Sequence, residues 1–178
     1  MSDTIVKLKT IADLQNESAK FYIDAYQRGY RWTSNEVRDL LDDIREFSHV
    51  KRHDDKTFYC LQPIIVTKYD DGISWKVIDG QQRLTTIFLI YSFYWVMQGP
   101  LLRDKLPFEI SYNNKALLQE CLNIFTEKEY AKSEVIEHEM TSFENDIDCH
   151  YVLEGYKCIC DYFQKLIKDL NTGVTPIS

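Results

Sequence analysis

The chain has 178 residues, 44% of them apolar and 13% aromatic, which is enough to bury a sizeable core and too apolar for a disordered segment. Its net charge of −7 argues against a broad nucleic-acid-binding face and confines any such contact to a local patch. Five cysteines (Cys60, Cys121, Cys149, Cys158 and Cys160) are odd in number and lack the spacing of a disulfide framework, and Cys158 lies too close to Cys160 for a Cys-x-x-Cys metal pair, so they read as reduced thiols of a cytoplasmic protein.

Met1 to Thr10 is polar and charged, so no secretory signal is expected. Thr10 is placed to cap a short helix reaching Asn16, and Lys20 to Ile23 predicts a strand. Tyr26-Gln27-Arg28-Gly29-Tyr30-Arg31-Trp32 follows, a loop rich in aromatics and arginine. Either its aromatics pack on the body while its arginines reach into water, or Arg28 joins a second arginine further on around one phosphate chain. Thr33-Ser34-Asn35-Glu36 is a capping box, and Val37, Leu40, Leu41, Ile44 and Phe47 form the buried stripe of the helix it opens. Asp39, Asp42, Asp43 and Glu46 then read as its solvated face. His49 and His53 have the spacing of two ligands on a helix, but they sit in a polar tail with Lys51, Arg52, Asp54 and Asp55 and read as a solvated loop. Thr57 to Lys68 predicts a strand that Pro63 makes an edge or a bulge. Tyr69-Asp70-Asp71-Gly72 predicts a hairpin turn into Ile73 to Ile78, with Trp75 to Ile78 as a buried strand.

The stretch Asp79-Gly80-Gln81-Gln82-Arg83-Leu84-Thr85-Thr86 joins that strand to an apolar run, Leu84 to Met97. The run is too short for the roughly 20 apolar residues of a membrane span and predicts a buried helix. Gly80 permits a sharp turn or a close approach. The first helical turn presents unpaired N–H groups, a ready anion site. Arg83 adds a planar donor fork suited to phosphate, and Asp79 a carboxylate able to hold a metal ion, a ribose hydroxyl or a water. The plainer alternative is a capped turn, with Asp79 as N-cap and Arg83 in a surface ion pair. Gly99-Pro100 ends the helix, and Pro107 to Tyr112 predicts another strand. Asn114 to Phe125 predicts an amphipathic helix on Ala116, Leu117, Cys121, Leu122 and Phe125, and Tyr130 to Ser142 a mobile link. Ile147 to Leu170 predicts a long helix packing through Tyr151, Tyr156, Ile159, Phe163, Leu166 and Leu170.

Asp79 to Thr86 resembles the signature of the N-terminal domain of GmrSD-type, modification-dependent (type IV) restriction endonucleases. Phe21 to Trp32 resembles that family's upstream I-P-x-Y-Q-R-x-Y-x-W block, Phe58 to Val66 its strand before the signature, and Asn145 to Phe163 its late helix. Asp24 stands where a proline is usual, and the arginine often found after the third strand is missing near Asn113 and Asn114. The resemblance implies a ParB/sulfiredoxin-like α+β fold: a small mixed sheet with packed helices over residues 1–112, then a helical extension over 113–178, with further domains following. It implies an NTP-binding, NTP-hydrolysing sensor that acts on DNA through those later domains, with Mg²⁺ as cofactor and a homodimer possible. On the matching positions, the resemblance implies that Gln27, Arg28, Gly80, Gln81, Gln82, Arg83 and Thr85 bind nucleotide. Asp79 is expected to be the catalytic and metal-binding residue, and Asp43 matches an acidic position of no assigned role.

No Walker loop, acyl-transfer triad or His-Asn-His nuclease motif occurs in the chain. Gln81 replaces the cysteine of the sulfiredoxin turn, which argues against sulfinic-acid repair. ParB-type CTP switches carry a glutamate in this turn where glutamine stands here, which leaves Asp79 as the metal candidate. The alternatives are a nucleotide switch without catalysis, and direct DNA contact by the Arg28–Arg31 loop.

Overall fold

The computed structural model describes residues 7–49, 58–97, 106, 108–127, 141–143 and 145–172. In order these form α1 (Ile11–Asn16), β1 (Lys20–Ile23), α2 (Ser34–His49), β2 (Ile65–Lys68), β3 (Trp75–Asp79), α3 (Gln81–Met97), β4 (Glu109–Tyr112), α4 (Ala116–Glu127) and α5 (Ile147–Asn171). Local chemistry sets several of the boundaries. Thr10 caps α1, its hydroxyl accepting from the Asp13 amide while the Asp13 carboxylate accepts from the Thr10 amide at 2.7 Å. At α2 the Glu36 carboxylate accepts from the amide and hydroxyl of Thr33, whose Oγ1 accepts from Asn35 N at 3.2 Å, and Asp146 caps α5 by accepting from Cys149 N at 2.9 Å. The β2–β3 hairpin turns at Gly72 (φ +69°), where Gly72 N donates to Tyr69 O and Asp71 accepts from the amides of Ile73 and Ser74.

The four strands form a mixed sheet in the order β2-β3-β1-β4. β1 runs parallel to both β3 and β4, and β2 is antiparallel to β3. Phe21 and Ile23 of β1, Val77 of β3, and Ile110 and Tyr112 of β4 are buried, whereas the alternating Tyr22, Lys76, Ile78 and Ser111 are not. The helices therefore cover one face. α3 is the centre of that layer. Every residue from Leu84 to Leu89 is buried, the signature of a helix surrounded on all sides. α5 packs across α2 and α3, and α4 across α3, α5 and β4. One contiguous core joins residues from Ala19 to Cys160, where each fully buried aliphatic or aromatic side chain is worth about 1.5–3 kcal/mol.

The α+β architecture with a mixed sheet and a helical C-terminal part is as the sequence leads one to expect; several element details differ. α3 starts at Gln81, ahead of the expected Leu84, because the polar turn residues are themselves its first turn. The strand foreseen over Thr57 to Lys68 shrinks to Ile65–Lys68: Gln62 adopts φ +67° beside Pro63, and neither suits an extended ladder. It is an edge strand with an irregular register at Ile65/Val66, as Pro63 implies. β3 is only half buried, Val77 inward and Ile78 45% exposed, because one sheet face is open. On α2, Ile44 is exposed. On α4 the inward residues are Leu118, Cys121, Leu122, Ile124 and Phe125, with Leu117 outward. α5 buries Cys149, Val152, Leu153, Tyr156, Ile159 and Cys160, and Leu170 is 66% exposed. His53, Gly99-Pro100 and residues 130–140 of the expected link lie outside the described residues.

Candidate nucleotide-binding cleft

Since β1, β3 and β4 run parallel, they end on one edge of the sheet, where the chain leaves as the Asp24–Thr33 loop, the Gly80 turn and Asn113–Asn114. Such carboxyl ends are where open α/β sheets bind ligands. A cleft of about 410 Å³ opens there, lined by Tyr26, Gln27, Arg28, Trp32, Ile78, Asp79, Gly80, Gln81, Gln82 and Arg83. That volume lies within the range of small-molecule sites.

Gly80 makes the turn possible. It sits at φ +93°, and a Cβ there would lie 3.1 Å from Ile64 Cγ1 and 3.2 Å from Ile64 Cα. Its carbonyl accepts from Leu84 N at 3.0 Å, so Gly80, and not Asp79, is the N-cap of α3. The Asp79 side chain is thereby left exposed, without a hydrogen-bond or ion-pair partner among the described residues.

The three glutamines fasten the two walls of the cleft together. Gln27 Nε2 donates to the carbonyls of Val77 (2.7 Å) and Ile78 (3.2 Å). Gln81 Nε2 donates to Arg28 O at 2.7 Å. Gln82, 8% exposed, donates to Gly29 O at 2.9 Å and accepts from Arg31 N at 2.7 Å. The paired glutamines thus read the backbone of the Arg28–Arg31 loop from the first turn of α3. Beneath them Tyr30 is fully buried, its hydroxyl 2.8 Å from Thr86 Oγ1, and burial holds its phenol above the ordinary value of 10.0.

The expected site residues divide into distinct groups. Arg28 is exposed and has no side-chain partner among the described residues. Arg83 donates to Gln62 Oε1 and Pro63 O, both at 2.9 Å, while its Nε is buried without a partner. Thr85 does not line the cleft: its hydroxyl is buried, donating to Gln81 O at 2.9 Å and lying 2.8 Å from the Tyr112 hydroxyl. Arg31 also turns away, pairing with Asp148 and lying 5.6 Å from the Tyr151 ring centroid. Asp43 accepts from Tyr59 OH at 2.8 Å, away from the cleft lining. The two departures from the family pattern meet in space, where Asn113 Nδ2 donates to Asp24 Oδ1 at 3.2 Å. Asp24 also pairs with Lys76, and that hydrogen bond above all holds its carboxyl below the usual range.

Some contributors escaped sequence reasoning. Tyr26 and Trp32 line the cleft, Ile78 forms part of its wall, and Gln62 and Pro63 hold Arg83. The aromatic loop was a signal for the first two. Nothing local marks Gln62, since its contact lies across the sheet edge.

Strand end, glycine N-cap and facing arginine loop define an α+β domain with a cleft at the start of its central helix. The family model for the GmrSD restriction endonuclease N-terminal domain matches residues 9–177. The chain belongs to that family, and so to the proteins of restriction systems. No curated protein matches it, and no described helix is long and apolar enough to cross a membrane.

Proposed function

We propose that this domain binds a nucleoside triphosphate in the cleft and hydrolyses it, serving as the sensor part of a modification-dependent DNA restriction protein. The observation that carries the reading is the pair Arg28 and Arg83. Both line the cleft beside the α3 N-terminus, and neither has an acidic partner among the described residues, in a chain of net charge −7. Arginine stays charged at all working pH values, and a helix start adds roughly half a positive charge. With Asp79 as the one carboxylate in the same lining, two cations and a helix start leave the cleft a net positive balance that an anion completes. A triphosphate satisfies that demand with several oxygens. Tyr26, 70% exposed, with Trp32 and Ile78, offers an apolar rim for the base.

Asp79 fits Mg²⁺ as a single anchor. No group of three or more metal-ligating side chains occurs among the described residues, and Mg²⁺ commonly takes one or two carboxylates with the remaining positions filled by water and phosphate oxygens. The ion would supply charge neutralisation on the phosphoryl oxygens. The residues' own share is positioning: the arginines hold the phosphates, and Asp79 orients the attacking water or the ion. Contact with DNA falls to later domains, and dimerisation on nucleotide binding accompanies this reading.

The test is a thermal-shift panel of ATP, GTP, CTP and UTP, each with and without Mg²⁺, followed by phosphate release with the best ligand. A ligand bound only by the folded chain raises the melting temperature. Arg28→Ala should abolish that shift while the unliganded melting temperature stays put, since the Arg28 side chain has no partner among the described residues and its carbonyl, which accepts from Gln81, is kept. A shift without phosphate release reduces the reading to a binding-only switch. No shift with any nucleotide ends it.

A further inference from the structure

Asp148, in the first turn of α5, is 6% exposed, the buried carboxylate among the described residues. Its Oδ1 is in ion-pair contact with Arg31 Nη1 while accepting no hydrogen bond among the described residues, and its Oδ2 accepts from Lys115 Nζ at 3.0 Å. The helix does not need this carboxylate as a cap, because Asp146 already fills that place. A buried charge is costly unless fully paired, so its position calls for a reason.

The reason lies in what the carboxylate touches. Gly29 packs against it so closely that a Cβ there would sit 2.1 Å from Asp148 Cγ. Glycine is required here for approach, not for an unusual backbone angle. Arg31, the residue Asp148 pairs, gives its amide to Gln82 Oε1, and Gly29 gives its carbonyl to Gln82 Nε2. Residues 28–31 are therefore held from two sides, by the α3 glutamines and by the α5 carboxylate. Arg28 projects from that doubly held segment into the cleft.

We infer that Asp148 is a positioning residue for the nucleotide cleft: through Arg31 and Gly29 it fixes the backbone that presents Arg28, and it ties that loop to α5. A cleft ligand that draws on Arg28 pulls on the same segment, so occupancy and the seating of α5 are coupled in both directions. The affinity part of this inference rests on the nucleotide reading above; the loop-holding part does not.

Two measurements on the full chain separate them. One is amide hydrogen exchange of residues 27–31 without ligand. The other is titration with the nucleoside triphosphate giving the largest thermal shift. In Asp148→Asn the exchange of these amides should quicken about tenfold and affinity should fall about tenfold, within the range by which mutations along a coupled network act. Lys115→Met, which leaves the Arg31 pair intact, should change either by less than about twofold. Should Asp148→Asn fail to fold, Arg31→Met breaks the same pair while Lys115 still neutralises the carboxylate, and Arg31→Lys should restore part of both readouts. Unchanged exchange in Asp148→Asn or Arg31→Met overturns the inference. So does an equal effect from Lys115→Met, which would make Asp148 a general fastener of α4 to α5. Loosened exchange in a chain whose wild type binds no nucleotide supports the loop-holding part and refutes the nucleotide reading alone.

Discussion

Arg83 combines two tasks in one side chain. Its Nη atoms donate to Gln62 Oε1 and Pro63 O, which pins the segment before β2, while its charge remains uncompensated at the cleft. Removing it therefore has a structural cost as well as a functional one. Two hydrogen bonds from a charged donor at a part-exposed site are worth about 1–2 kcal/mol of folding. A lost bidentate phosphate contact costs about 2–5 kcal/mol of binding. Arg83→Ala should thus abolish nucleotide binding in a chain that still melts cooperatively in urea. Arg83→Lys keeps the charge but loses the planar fork and should bind weakly. Asp79 has no structural task among the described residues, so Asp79→Asn should leave the urea midpoint unmoved and much of the binding intact, while phosphate release disappears. Unaltered affinity in Arg83→Ala, read by titration beside the urea melts, would falsify the phosphate role.

Between elements, the decisive joint is the grip of α3 on the loop after β1. Gln82 satisfies a buried carbonyl and a backbone amide, whereas the Gln81 bond to Arg28 O is exposed. Gln82→Leu strands both backbone groups and should cost about 2–4 kcal/mol, while Gln81→Ala should cost under about 1 kcal/mol. Paired urea melts decide it, and equal losses would show that the grip does not depend on burial. This joint also marks the limit of what sequence can say. The strand, the glycine, the helix and the arginine loop were all legible, because capping boxes, Gly80 and the Lys20–Ile23 run are local signals. That the glutamines hold backbone was not legible, since the same side chains serve equally for binding a ligand. Thr85 misled for the opposite reason: it lies in the signature, yet helical geometry turns it inward to Tyr112. Residues Ala116 and Leu117 failed for want of a boundary, because the inward face of a short helix rotates with its assumed start. Asp148 gave no signal at all, as its partners Arg31 and Lys115 are distant in sequence.

Over the whole molecule, the ionisable groups set a stability plateau with a limb at each end. Asp13 is held below its ordinary value by the Thr10 amide, Asp24 by Lys76, Glu36 by the Thr33 hydroxyl and Asp71 by the Ser74 hydroxyl. A depressed carboxylate adds stability above its unfolded pKa and loses it as pH falls through the folded one, because the unfolded chain then binds more protons. The urea midpoint should therefore fall as pH drops below about 4.5, where unfolded carboxylates begin to protonate. At the other end, burial raises the phenols of Tyr30, Tyr112 and Tyr156. These groups stay neutral in the fold while the unfolded chain ionises near pH 10, so stability is full below that value and is lost as pH rises beyond it. Tyr112→Phe separates this limb from general alkaline damage. It deletes one raised phenol but leaves Thr85 its bond to Gln81 O, so the variant should lose less stability than wild type between about pH 9.5 and 11.5. Urea midpoints of both proteins across that range check the sign, and parallel curves would mean that the Tyr112 phenol ionises as freely in the fold as outside it.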